Sequence, residues 1–284
     1  MADTAFQTQY RDEFIAGFEA RSSLLRDTVT TEFQKTRGNT VVFLVADSGG
    51  AEAQTRGVNG LIPARADNLT QNSLSLGEWH DLVRKTGFNV FASQGDQRRI
   101  MQETTMAVLN RKVDAQIVTE LATTTVTISV GGVPSIDNIQ HAQTKLQNAS
   151  VPWDSNITLL AAPSLMSYLE QAPEFSKATY VNMRPFAGED QNANWRDMPM
   201  AYRWKNMLVI AHPNLPGKGT SSEYSFMYHK SSCGHAADKE SLDSAVGYDE
   251  EQDYSFARAT MYMGAKLLQT SGVVAIIADG SARA

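Results

Sequence analysis

Residues 97–122 read QRRIMQETTMAVLNRKVDAQIVTELA, and residues 123–130 continue without a break as TTTVTISV. In the first stretch Leu109, Val113, Ile117 and Leu121 recur at every fourth position, Ile100 and Met106 extend the stripe, and no Gly or Pro interrupts it. That period predicts a helix with one apolar side. Ser93 or Asp96 would cap its start, and at ~1.5 Å per residue it would run for roughly 39 Å, longer than most globular helices. The second stretch alternates Thr with Val and Ile up to Gly131-Gly132, the pattern of a half-buried strand. A long helix that passes straight into a strand suits the backbone of an elongated α+β subunit.

Upstream, Thr40–Ala46 is rich in β-branched residues and ends at Asp47-Ser48-Gly49-Gly50, a turn composition. Leu69–Leu76 alternates, with Thr70, Asn72, Leu74 and Leu76 on one face. These two runs predict a hairpin. Its connection, residues 51–68, contains Gly57, Gly60 and Pro63 and has only Val58, Leu61 and Ile62 as large apolar groups. A loop of that length without its own core either finds a partner to cover it or stays unordered. A short strand is predicted at Phe88–Ser93. At the other end of the chain, residues 5–37 read as helix in two pieces, broken near Gly17 and Ser22-Ser23, with Phe6, Tyr10, Phe14 and Phe18, then Leu25, Val29 and Phe33, forming ridges at a spacing of four. This arm packs either on its own core or on a neighbour.

Downstream the elements alternate. Ser135 precedes a predicted helix from Ile136 to about Gln147, Ile157–Ala161 and Met207–Ala211 read as buried strands, and Pro163 opens a helix through Glu170. Residues 212–255 are polar and rich in Gly and Ser, so they read as surface loops with one short strand at Tyr224–Tyr228. Phe256–Leu268 is helical or extended, and Val273–Ala278 is a strand.

Composition narrows the function. Thirty-one acidic against 25 basic residues give a net charge of −6, the opposite of the basic footprint of a DNA-reading protein. One cysteine, Cys233, permits no intrachain disulfide. The longest apolar runs, Val41–Ala46 and Val273–Ala278, are far shorter than the ~20 residues that cross a bilayer, and no signal peptide opens the chain. Gly217-Lys218-Gly219 lacks the residues of a phosphate loop or a dinucleotide fingerprint, and no common hydrolase, zincin or EF-hand motif occurs.

His229, Cys233, His235 and Asp238 are of the types that bind zinc. They come from one loop rather than from paired segments, which argues against a metal. Cys233 with His235 lacks a third, orienting group for nucleophilic catalysis. The acidic run Asp249, Glu250, Glu251 and Asp253 reads as a solvated loop. No catalytic constellation or cofactor is expected, whereas the arm and the hairpin tip both look unfinished in an isolated chain.

Arg56-Gly57-Val58-Asn59-Gly60-Leu61-Ile62-Pro63-Ala64-Arg65, Trp79-His80-Asp81-Leu82-Val83 and Phe91-Ala92-Ser93-Gln94-Gly95-Asp96-Gln97-Arg98-Arg99 together resemble tailed-bacteriophage major capsid proteins of the HK97-like fold. Phe14-Ile15-Ala16-Gly17-Phe18, Ser23-Leu24-Leu25-Arg26, Tyr180-Val181-Asn182 and Pro185-Phe186 agree with it. The resemblance implies an N-arm at residues 1–38 and an E-loop at 39–86. It further implies a peripheral domain from 87–133 and 256–284, including a spine helix at about 96–122, and an axial domain at 134–255.

The resemblance also implies a structural, non-enzymatic protein that self-assembles into pentamers and hexamers of an icosahedral head around double-stranded DNA held without sequence preference. Its partners would be further copies of itself, a portal protein, and scaffolding and decoration proteins where used. Its place would be the virion, and the host cytoplasm during assembly. The N-arm begins close to Met1, so any scaffolding protein is expected to be separate. Subunit contacts are expected at Phe14, Phe18, Arg56, Leu61, Ile62 and Arg65. The alternatives are an encapsulin-like nanocompartment shell and, more remotely, a metal-dependent hydrolase built on His229, Cys233 and His235.

Overall fold

The fourfold apolar period forms one unbroken helix, Gln97–Leu121, in a computed structural model that describes residues 23–33, 38–47, 51–64, 68–92, 97–176, 181–182, 201–239 and 243–283. In chain order the elements are strands β1 (Thr30–Phe33), β2 (Thr40–Asp47), β3 (Asn68–Ser75) and β4 (Gly77–Thr86), then helices α1 (Gly87–Ala92) and α2 (Gln97–Leu121). They continue through β5 (Thr127–Ser129), α3 (Ile136–Asn148), β6 (Ile157–Ala161), α4 (Pro163–Gln171), α5 (Pro173–Ser176) and β7 (Val181–Asn182). The chain then runs through β8 (Ala201–Trp204), β9 (Met207–Ala211), β10 (Glu223–His229), β11 (Cys233–Ala237), β12 (Asp243–Asp249), β13 (Tyr254–Leu267) and β14 (Val273–Ala278).

Three sheets organise these strands. One has seven strands in the order β5-β14-β10-β6-β9-β8-β7. Its central members are buried on both faces, which is why β6 and β14 read as continuous apolar runs. On one face Leu159, Met207, Met227, Val274 and Ile276 pack with Ile139 and Leu146 of α3 and Leu165 and Leu169 of α4. On the other, Leu160, Phe226, Tyr228, Val273 and Ala275 join the stripe of α2, where Leu109, Val113, Ile117 and Leu121 are all buried. Each such aliphatic side chain withdrawn from water is worth about 1.5–3 kcal/mol, so α2 is held between two sheets as a structural axis.

The second sheet is built around β13. β4 pairs along one of its edges from Tyr254 to Met263, while β12 and then β11 pair along the other. β1 continues beyond β11 in parallel register. Ala257, Ala259, Met261, Met263 and Ala265 are the buried hydrophobic residues of this strand, and four of the five belong to the core that includes α2. The third sheet is the expected hairpin, β2 paired with β3 from Thr40↔Ser75 to Asp47↔Asn68.

Several sequence expectations are corrected. Phe88–Ser93 is not a strand: α1 covers residues 87–92, with the Thr86 hydroxyl accepting from Asn89 N as a helix cap. Only Thr127–Ser129 of the run from Thr123 to Val130 pairs as a strand, because Thr123 and Thr124 turn their hydroxyls to Glu120 O and Val273 O. Residues 212–255 are not mainly surface loops, since β10, β11 and β12 lie there and β11 is buried throughout. From sequence no strand is assigned to Gly77–Thr86, where the structure places β4. β13 is extended along its whole length.

In the arm, Leu25 and Val29 do not continue a helix. A single 3-10 turn, Arg26–Thr28, leads into β1. Phe14 and Phe18 lie outside the described residues. The sheets also cross the sequence boundaries expected at 133 and 255: β14 lies between β5 and β10, and both β11 and β12 pair with β13.

Candidate assembly surfaces

The hairpin is anchored at one end only. Val41, Phe43 and Leu74 turn inward and form a small core with Ala236 of β11. The opposite face carries Val42, Leu44 and Leu69, all exposed. Beyond the last strand pair every described residue from 51 to 64 is exposed, including Arg56, with Leu61 at 73% and Ile62 at 72% and Val58 fully open. A compact turn shapes this tip: Gly57 N donates to Leu61 O at 3.0 Å and Gly60 N to Gly57 O at 2.8 Å. Gly60 sits at φ +71°, a left-handed backbone that a glycine adopts without steric cost. The tip is therefore a preformed knob of aliphatic side chains with nothing among the described residues of its own chain to bury them. Arg65 lies outside the described residues.

The arm behaves differently where it is described. Leu25 and Val29 are buried in the subunit's own core against α2, so this part resolves in favour of self-packing. Asp114 of α2 holds it, accepting hydrogen bonds from Ser23 Oγ and from the backbone N–H groups of Leu24 and Leu25. Thr28 and Tyr228 share a buried hydroxyl contact at 2.6 Å. Burial raises the Tyr228 phenol far above its ordinary range, so it stays protonated.

The residues that resembled a metal site do not converge. His229 ends β10, Cys233 and His235 lie within β11, and Asp238 follows it. Among the described residues no group of three His, Cys, Asp or Glu side chains could hold a metal ion. Burial, and then the nearby Glu120 carboxylate, push the Cys233 thiol up to about 12, which leaves it protonated and a poor nucleophile. His235 is fully buried and is pushed down to about 4, first by burial and then by the Arg26 guanidinium.

His229 instead forms a local cap. Its Nδ1 accepts from Ser231 N at 3.2 Å and meets Ser231 Oγ at 2.8 Å, and its Nε2 lies 3.2 Å from Asp154 Oδ1. Asp154 and Ser231 could not be connected to it from the sequence, because Asp154 lies 75 positions away. The acidic run is a turn between β12 and β13, in which Asp249 Oδ1 accepts from Glu251 N and Gln252 N. Among the described residues no helix is long and apolar enough to cross a membrane.

Comparison with known proteins gives one family and a consistent set of folds. The family model described as "Phage capsid protein" matches residues 2–279. No curated protein matches the sequence. The structure is similar to that of Mycobacterium phage Che8, with a TM-score of 0.70 and 15% identity over 97% of this chain and 98% of that one. It is also similar to the capsid of Ralstonia phage GP4, at 0.69 and 11% over 98% and 96%. The head structure of Helicobacter pylori bacteriophage KHP40 gives 0.66 and 11% over 98% and 95%.

Proposed function

The chain belongs to the phage capsid protein family, as a structural major capsid protein of HK97-like fold, and from that premise we propose that it closes into pentamers and hexamers of an icosahedral head around double-stranded DNA. The observation that carries this reading is the hairpin tip. A knob that exposes Val58, Leu61 and Ile62 to water is the kind of apolar patch that marks an interface. Closed rings built from one repeated contact suit a chain whose apolar extension reaches beyond its own core.

Within this reading the hairpin is the E-loop, α2 the spine helix, the β13 sheet the peripheral unit and the seven-stranded sheet the axial unit at capsomer centres. Subunit contacts fall to Arg56, Leu61 and Ile62, together with Phe14, Phe18 and Arg65. The net charge of −6 fits a shell that encloses DNA delivered by other proteins rather than one that gathers DNA by affinity. A portal protein, and scaffolding or decoration proteins where used, complete the particle, which assembles in the host cytoplasm. Nothing in the site chemistry favours the metal-dependent hydrolase, and the matching family model is that of a phage capsid protein rather than of an encapsulin shell.

The test is negative-stain electron microscopy of the purified full-length protein, expressed with and without the genes that neighbour it in a phage genome. Uniform icosahedral particles or capsomer rings support the reading. Monomers under both conditions overturn it.

A further inference from the structure

The hairpin tip carries the one Asn-Gly pair of the chain, Asn59-Gly60. Asparagine followed by glycine is the arrangement in which a side-chain amide is most open to attack by its own backbone. The Gly60 nitrogen can close a five-membered imide on Asn59 Cγ, and with no Cβ on the glycine that approach is unhindered.

The surroundings of the pair favour this reaction. Asn59 and every other described residue from 51 to 64 are exposed, so water has free access. Even a Cβ added to Gly60 would meet nothing within 4 Å. One compact turn holds the main chain: Gly60 N donates to Gly57 O at 2.8 Å and Gly57 N to Leu61 O at 3.0 Å. The first of these bonds occupies the attacking nitrogen and must open before it reacts. A water-exposed backbone bond contributes so little that it slows the attack by about tenfold at most. Among the described residues no core contact resists the opening, because Val58, Leu61 and Ile62 are all exposed.

We propose that Asn59 is a spontaneous modification site of the unassembled subunit, losing its side-chain amide to attack by Gly60, and that the converted subunit is impaired in assembly. The Gly60 nitrogen bonds to Asn59 Cγ, the Cγ–Nδ2 bond breaks, and Nδ2 leaves as ammonia with the proton that Gly60 gives up. Water then adds to one of the two imide carbonyls. Opening at Cγ leaves aspartate. Opening at the main-chain carbonyl leaves isoaspartate, in which the backbone runs through Cβ and is one carbon longer. The sum is one water consumed and one ammonia released, with no oxidant or reductant.

Either product puts a carboxylate between Val58 and Leu61, in the middle of the apolar knob. Covering an unpaired charge costs far more than covering a neutral amide, and isoaspartate also alters the turn that shapes the knob. This effect on assembly rests on the capsid reading, in which the knob is covered in the shell. The conversion itself does not. Free and assembled subunits should therefore age at different rates, because a covered tip keeps the Gly60 N–H in its turn bond.

The test is peptide mapping by mass spectrometry of the full-length protein held for days at pH 8, as free subunit and as assembled particles. Asn206 and Asn214 are internal standards, since both are exposed but precede the buried Met207 and Leu215. In the free subunit Asn59 is expected to convert at least several-fold faster than either, giving both aspartate and isoaspartate. Conversion no faster than at the standards overturns the modification. In particles Asn59 is expected to convert more slowly, and equal rates in the two states overturn the covering of the tip and with it the link to assembly.

Electron microscopy then scores assembly. Asn59→Asp is expected to unfold at the wild-type temperature and to lower particle yield by about tenfold, the effect of ~1.4 kcal/mol lost at a contact. Asn59→Gln closes only a slower six-membered ring, so it is expected to keep its yield through ageing that lowers the yield of wild type. Aged wild type that assembles as well as fresh, or full yield from Asn59→Asp, overturns the effect on assembly. Fresh wild-type protein that never forms particles or rings overturns the capsid reading, and mapping of the free subunit still decides the modification.

Discussion

Asp114 on the long helix accepts a hydrogen bond from Ser23 Oγ at 2.5 Å across 91 positions of sequence, joining the last described turn of the arm to the centre of the subunit. The same carboxylate takes the N–H groups of Leu24 and Leu25, each at 3.2 Å, and His212 Nε2 lies 3.8 Å from Oδ2. Asp114→Asn keeps the volume but turns an NH2 group toward donors that need an acceptor. The expected loss is about 2–3 kcal/mol, the cost of a buried group left unpaired. At roughly 2–4 °C per kcal/mol in chains of this size class, the unfolding temperature of the unassembled subunit should fall by several degrees. Ser23→Ala should cost about 1 kcal/mol. Equal effects from the two variants would show that the backbone bonds contribute little.

His235 gives the subunit an acid limit. Its ring is fully buried, both nitrogens lack partners among the described residues, and burial pushes its folded-state value down to about 4 against 6.5 when free. The unfolded chain therefore takes up a proton at this residue before the folded chain does. The associated stability is complete above about pH 6.5 and declines as pH falls toward 4, by about 3 kcal/mol in total. Arg26 opposes protonation and Asp114 favours it. His235→Leu should be at least as stable as wild type at neutral pH and should lose less stability between pH 6.5 and 4. Urea titrations at a series of pH values measure the difference, and parallel pH profiles would remove His235 from this role.

Physical pattern explains which elements were legible. The stripe of α2, the alternation of β3 and the apolar runs of β6, β9 and β14 are dictated by burial of side chains that are apolar by type. β11 is buried on both faces yet spells Cys-Gly-His-Ala-Ala, so its residue types give no sign of its location. β4 alternates between half-buried Trp79, Asp81, Val83 and Lys85 and exposed neighbours, a pattern masked by its charges. Leu25, Val29 and Phe33 have helical spacing, but Thr30–Phe33 find a strand partner in β11, and tertiary pairing overrides a weak local preference. The tip was visible as a long segment without a core.

Gly234 and Phe43 link the hairpin to the β13 sheet. A Cβ on Gly234 would come within 2.9 Å of Phe43 Cζ, and Phe43 is one of the anchors of the hairpin base. Gly234→Ala should cost about 1–3 kcal/mol through overpacking. In the background of Phe43→Leu the cost should shrink by about 1 kcal/mol, because the colliding ring is gone. A double-mutant cycle by urea unfolding reads the coupling, and strict additivity would mean that the strain is relieved elsewhere.

Cys233 should be silent in the native subunit. Its thiol is buried and held near 12, and thiolate is the reactive form. A disulfide-exchange reagent at pH 8 should label the native protein far more slowly than the unfolded chain, which should react stoichiometrically. Rapid native labelling would show that β11 opens readily from its place between β1 and β13, and would reopen the question of a reactive thiol.

Folding and assembly separate most cleanly at residues 51–66. Among the described residues of this segment nothing is buried, so its deletion removes no core contact. Shortening the connection between β2 and β3 from about 20 residues to about 4 lowers the closure entropy by roughly 1.4 kcal/mol. The deleted subunit should therefore unfold at or slightly above the wild-type temperature while failing to give stable shells. Leu61→Ser with Ile62→Ser should reproduce the assembly defect without changing loop length, because it removes only the apolar knob. Thermal unfolding combined with electron microscopy distinguishes the outcomes. A deletion variant that unfolds far earlier would place the tip within the subunit's own stability, and normal shells from either variant would remove the tip from the interface.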